Sequence, residues 1–177
     1  MSQQELSREI QEVWALFRET SEQMKETDKK IDRLTETVNA LTGKWGKFVE
    51  GLVAPGAVRM FTERGIEVKQ FYPRARTQQD GEEMEIDVLV VNDEYAIAIS
   101  VKSTLKVEDV NNHIEALSRF HEFFANFADK TLIGAVAGIV IEEEADKYAY
   151  RKGLFVITQT GEMVKILNDE KFKPKLW

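Results

Sequence analysis

Two carboxylates and a lysine stand on two neighbouring stretches that both read as β-strands. Glu85 and Asp87 lie in MEIDVLVV (84–91), and Ser100 and Lys102 lie in EYAIAISVK (94–102). Both stretches set apolar residues at a period of two, and Asn92-Asp93 between them is turn chemistry, so the pair reads as a hairpin. Side chains alternate along a strand, which gives Glu85 and Asp87 one face and gives Ala96, Ala98, Ser100 and Lys102 one face. With Asn92-Asp93 as the two-residue loop, Asp87 opposes Ala98 and Glu85 opposes Ser100. With Asp93-Glu94 as the loop, Asp87 opposes Ser100 and Glu85 opposes Lys102. Either register gathers Glu85, Asp87, Ser100 and Lys102 on one sheet face, whereas a loop of odd length would scatter them.

Such a set can hold a divalent cation and place a water. Mg²⁺ takes oxygen ligands, commonly one or two carboxylates completed by water and substrate phosphate. The ion acidifies a bound water and neutralises phosphate charge, and a lysine beside it can orient that water or hold a phosphate oxygen. Ala96 and Ala98 leave room above this face. The competing reading is a salt-bridged hairpin, in which Lys102 and Glu85 form a partly exposed pair of small energetic value.

The elements that must position these residues fall into two parts. Residues 1–42 contain no Gly and no Pro. One row of residues, Ile10, Phe17, Met24, Ile31, Val38, Trp45 and Leu52, recurs every seven positions. A second, Leu6, Val13, Thr20, Thr27, Leu34, Leu41 and Phe48, recurs likewise, three and four away from the first. This is the seam of a coiled coil, with Thr20 and Thr27 weakening its middle. A helix of about 40 residues spans about 60 Å, more than one small domain can cover, so self-association is expected. Gly43, Gly46 and Gly51 punctuate the pattern and Pro55-Gly56 breaks it, with further helical spacing up to a stop at Gly65. The division is therefore 1–42, a coiled-coil oligomerisation helix, and 43–177, a globular domain.

Within the domain, IEVKQFY (66–72) predicts a first strand and RARTQQDGEE a polar loop before the hairpin. The spacing from Val107 to Phe127 predicts a helix. LIGAVAGIVI (132–141) is a continuous apolar run, as in a strand buried on both faces. EEEADKYAYRKG predicts a short helix closed by Gly153, LFVIT and EMVKIL two last strands, and NDEKFKPKLW a loosely ordered tail apart from its aromatics.

Bulk composition narrows the classes. Of 177 residues, 43% are hydrophobic and 31% charged, and there is no cysteine, so disulfides and thiolate metal sites are excluded. No run approaches the roughly 20 apolar residues of a membrane span, and the N-terminus lacks the apolar core of a signal peptide, so a cytoplasmic protein without membrane partners is expected. The net charge of -7 argues against non-specific coating of nucleic acid but not against a local basic patch beside an acidic site.

The order helix, strands, EIDVLV, hairpin, AISVKS, helix, strand resembles the PD-(D/E)XK nuclease superfamily over about residues 45–158. The whole chain also resembles a family of uncharacterised bacterial proteins, prominent in cyanobacteria, that pair a coiled coil with this domain; GKWGKFVEGLVAP, MEIDVLVV, VKSTLKVEDV and AYRKGLFV are similar to theirs. The resemblance implies an α/β, restriction-endonuclease-like core, a mixed central sheet flanked by helices. It implies a Mg²⁺-dependent endonuclease (Mn²⁺ as alternative, no organic cofactor) acting on DNA. Asp87 matches the motif aspartate, Lys102 the motif lysine, and Glu50 the acid many members carry on their first helix.

The departure is Ser100, where the pattern has Glu or Asp. Either the ligand is lost, leaving an impaired scaffold or DNA-binding partner, or it has migrated. A subgroup of restriction enzymes carries S-V-K here and draws its carboxylate from the following helix, where Glu115 stands thirteen residues after Lys102 and Glu108 six after. The implied metal ligands are Asp87 with Glu115 or Glu85, with Ser100 against a ligand or water. A third expectation, of another class, is an oligomeric coiled-coil interaction protein without catalysis. Arg74 and Arg76 are candidate phosphate contacts, as are Lys44 and Lys47. His113 and His121 are eight apart and cannot form an i, i+4 metal pair; both read as helix-surface or boundary residues.

Overall fold

The computed structural model describes residues 3–48, 52–142 and 144–177. The chain divides into two compact units, Met1–Lys44 and Trp45–Trp177.

The first helix, α1, is Gln3–Phe48. It runs through Gly43 and Gly46, which the sequence pattern marks as interruptions. Its seam is exposed: Ile10, Val13, Phe17, Met24, Ile31 and Leu34 all keep about half or more of their surface open. Thr20 and Thr27 turn their hydroxyls back onto the helix, donating to the carbonyls of Leu16 and Gln23 at 2.8 and 2.9 Å.

The second unit is a mixed α/β structure. Its order is α2 (Ala54–Glu63), β1 (Gln70–Gln79), β2 (Glu82–Val91), β3 (Tyr95–Leu105), α3 (Val107–Phe123), β4 (Thr131–Ile141), α4 (Ala145–Arg151), β5 (Phe155–Thr160) and β6 (Met163–Ile166). The six strands form one sheet in chain order. β1, β2 and β3 pair antiparallel, β3, β4 and β5 pair parallel, and β6 returns antiparallel on β5. The parallel pairs need crossovers, which α3 and α4 supply. Both helices cover one face, where Leu89, Val91, Ala96 and Ala98 meet Leu117, Phe120, Ala145 and Ala149. On the other face, Val88, Val90, Ile97 and Ile99 meet Val53, Ala57 and Phe61 of the α2 region. The sheet is thus covered on both sides, which is why β4 reads as one continuous apolar run.

Three sequence expectations shift. The first strand covers 70–79, not 66–72, and takes in most of the presumed polar loop. β1 is an edge strand that pairs only with β2, so its side chains are largely exposed and can be polar, and Pro73 is tolerated there. Pro55-Gly56 does not break a helix but opens one. Pro55 takes the N-terminal turn, where its missing N–H costs nothing, and a side chain at Gly56 would run into Val164 of β6. The tail is fastened. Leu176 bridges Ile133, the Trp177 N–H donates to the Leu132 carbonyl, and buried Asn168 accepts from Val156 N–H at 2.7 Å and donates to the Leu154 carbonyl.

Candidate active site

The β2–β3 hairpin closes with Asn92 N–H on the Tyr95 carbonyl, so its two-residue loop is Asp93-Glu94. The Asn92 side chain holds the turn by accepting from the N–H groups of Glu94 and Tyr95. The register follows, with Val91 opposite Ala96 and Val88 opposite Ile99. It is the ladder that, if regular throughout, would set Asp87 against Ser100 and Glu85 against Lys102. This is the second of the two registers the sequence allows.

Regular pairing of β2 with β3 stops at Val88–Ile99, and Asp87 takes over. Its Oδ2 accepts the Val101 N–H at 2.6 Å, in place of a ladder carbonyl. The Ser100 Oγ stands 3.5 Å from the same oxygen, too far for a strong bond. Alternation on β2 also breaks here. Leu89 and Val91 join the core under α3, and so do Ile86 and Met84, although Val88 and Val90 face α2. On β1, between the pairs Pro73–Val88 and Ala75–Ile86, Arg74 takes a left-handed φ of 48°. Both strands change faces together at this point, with no residue inserted on either.

The result is a cavity of about 210 Å³ between the hairpin and α3. Glu85, Asp87, Ser100 and Lys102 line it from the sheet, and Asp109, Asn112, His113 and Ala116 line it from the helix. Asp87 is half-buried. Burial pushes its carboxyl above the ordinary range, against the pull of the Val101 N–H and the Lys102 ammonium, and Glu85 adds to the rise. Glu85 is gripped by Arg76 at 2.5 Å. The Asp109 carboxylate accepts the Lys106 N–H at 2.9 Å and caps α3. His113 is buried, and its Nε2 lies 3.0 Å from the Ala98 carbonyl, which can only accept, so that nitrogen carries the proton. Burial, with a smaller push from the Lys102 charge, holds the His113 ring down to about 4 against the pull of the Ala98 carbonyl.

The quartet expected on one face, Glu85, Asp87, Ser100 and Lys102, is therefore together. The acids expected from the following helix are not. Glu115 and Glu108 are exposed and do not line the cavity. The buried row of α3 is Val110, His113, Leu117 and Phe120, and Glu115 lies off its edge. The acid that α3 does present is Asp109, which sequence reasoning passed over. Its signal was the spacing Asp109, Asn112, His113, Ala116, one face of a helix at i, i+3, i+4 and i+7. His113 is a buried residue of this wall, not a surface or boundary one. Arg76 is engaged by Glu85 and Glu83, while Arg74 is exposed. Glu50 lies outside the described residues, and nothing is described of the Lys44 and Lys47 side chains.

No protein-family model and no curated protein matches the chain. Among solved structures, a protein of unknown function, AF1548, is similar at 20% identity with a TM-score of 0.40, over 58% of this chain and 54% of that one, so the match spans about half of its length. The small subunit (R.BspD6I2) of the heterodimeric restriction endonuclease R.BspD6I is similar at 15% identity with a TM-score of 0.33, over 65% of this chain and 69% of that one. At such identities and TM-scores the likeness assigns no activity. Among the described residues, no helix is long and apolar enough to cross a membrane.

Proposed function

We propose that the protein is a nuclease of the PD-(D/E)XK type that hydrolyses DNA phosphodiesters with Mg²⁺ or Mn²⁺, and that α1 joins copies of the chain. The observation that carries this reading is the cavity in which Asp87, Glu85 and Lys102 meet across the hairpin. The donor set fits a small, oxygen-preferring cation: one or two carboxylates suffice for Mg²⁺ when water and substrate phosphate complete the shell. Asp87 and Glu85 would hold it from the sheet, with water and substrate phosphate completing the shell and Asp109 of α3 facing the same cavity. A bound ion would supply an acidified water and neutralise phosphate charge. Lys102 would orient that water or hold a phosphate oxygen, Ser100 would bond a water where related sites have an acid, and Arg74 would meet phosphate at the rim.

One observation favours a second reading. Among the described residues, no three acid or histidine side chains stand close enough to cage an ion. With Ser100 in place of an acid, the site then belongs to an impaired nuclease that binds DNA without cutting it. Purified protein with DNA and Mg²⁺ or Mn²⁺ separates the two. The active reading expects cleavage that Lys102→Ala lowers by about 10²-fold or more. Cleavage that appears only in Ser100→Glu assigns the wild type to the impaired reading. Absence of cleavage and of metal binding in the wild type and both variants removes the nuclease assignment.

A further inference from the structure

We propose that α1 assembles more than two copies of this chain, and that Trp14 and Leu16 set that number. The proposal rests on the self-association stated above. In the heptad whose a positions are Ile10 and Phe17, Val13 is a d position, Trp14 an e position and Leu16 a g position. All five are exposed, by 49% at Ile10 to 69% at Phe17. The apolar stripe therefore reaches both flanks of the seam over residues 10–17. Further along it narrows: Met24, Ile31 and Leu34 continue the a and d rows, while Asp28, Lys30 and Thr35 hold the flanking positions.

The width of a stripe limits how many neighbours a helix can have. A strict a/d stripe is the narrow seam of a two-stranded coil, in which e and g stay at its wet margin. A stripe that adds e and g positions presents an arc that one partner cannot cover, as on the core-facing helices of a bundle. A dimer would leave Trp14 and Leu16 in water. Trp14 and Phe17 stand with ring centroids 6.3 Å apart, so the flank and the seam form one continuous patch. On the opposite side, at f and c positions, Arg8 pairs with Glu12 at 3.4 Å.

The occupant is a further copy of α1. The seven-residue period matches a partner with the same period, which is what another copy provides. The eight exposed apolar residues of the stripe offer roughly 1,000 Å² per chain, above the roughly 800 Å² per partner of a standard interface. Thr20 and Thr27 offer little apolar surface in the middle of the seam, so the weight falls on residues 10–17.

Sedimentation equilibrium of the full chain at micromolar concentration tests this. The wild type is expected at three or four times 20.3 kDa. The double variant Trp14→Glu, Leu16→Glu is expected at no more than two chains, and Phe17→Glu, which places a charge in the seam itself, at one. Helix content by circular dichroism, with an unchanged melting of the sheet unit, shows that the variants remain folded. A wild type of two chains overturns the proposal while leaving self-association standing. A wild type of one chain overturns both and gives the stripe to a different protein. A double variant that keeps the wild-type mass removes Trp14 and Leu16 from the interface.

Discussion

His113 has no charge at neutral pH because the fold has no room for one. Its Nε2–H is committed to the Ala98 carbonyl, and burial with the Lys102 charge nearby holds its titration at about 4, below the ordinary 6.5. In the unfolded chain the ring takes up a proton between these values and in the fold it does not. Stability is therefore complete above about pH 6.5 and is lost as pH falls toward 4, by roughly 3 kcal/mol. His113→Gln keeps an N–H donor for Ala98 and removes the titration. Urea unfolding at pH 7 and at pH 4.5 is expected to show a smaller acid loss in this variant by about 2 to 3 kcal/mol, and equal losses would mean that His113 is charged in the fold. Asp87 has the opposite sign. Its raised carboxyl holds a proton longer in the fold than outside it, so charging it costs stability as pH rises. Its bond to Val101 N–H fixes where that half-buried acid points.

At the scale of elements, the spacing between α3 and the sheet sets the shape of the cavity, and Gly134 of β4 permits that spacing. A Cβ there would stand 2.4 Å from both Leu117 Cδ1 and Leu154 Cδ2, side chains that seal α3 and β5 against the strand. Gly134→Ala is expected to cost about 1 to 3 kcal/mol in urea unfolding, by overpacking a close-packed layer. A loss under a few tenths of a kcal/mol would show that both leucines turn aside freely. The hairpin was legible in the sequence because alternation and a two-residue turn fix which side chains share a face. What escaped was whatever depends on contacts remote in sequence. β1 hides as a strand because an edge exposes its side chains. The helical acid of the cavity was sought at Glu115 and Glu108, but the sheet packs on the row Val110, His113, Leu117 and Phe120, and that packing turns Asp109 inward. The tail reads as loosely ordered apart from its aromatics, because its anchorage depends on a bridge from Leu176 to Ile133 that its own residues do not announce.

At the scale of the molecule, two kinds of stability are joined in one chain. Both apolar clusters of the sheet unit are drawn from residues after 51, so that unit carries a core of its own among the described residues. The stripe on α1 has no such core within its own unit, and under the proposed self-association its helical stability would come from other copies and depend on concentration. A chain beginning at residue 43 is therefore expected to sediment as one copy and to melt at a temperature that does not change with protein concentration. The full chain is expected to show an additional helix transition that rises with concentration. If the proposed function holds, joined sheet units would place several cavities on one DNA molecule, and a linked second site raises apparent affinity by about 10² to 10⁴ without any new contact. Binding of a long duplex by the full chain should exceed that of the shortened chain by at least 10-fold under this same rule, while a duplex too short for two copies should be bound alike by both. Equal affinity for the long duplex would show that α1 joins chains without bringing their cavities onto the same DNA.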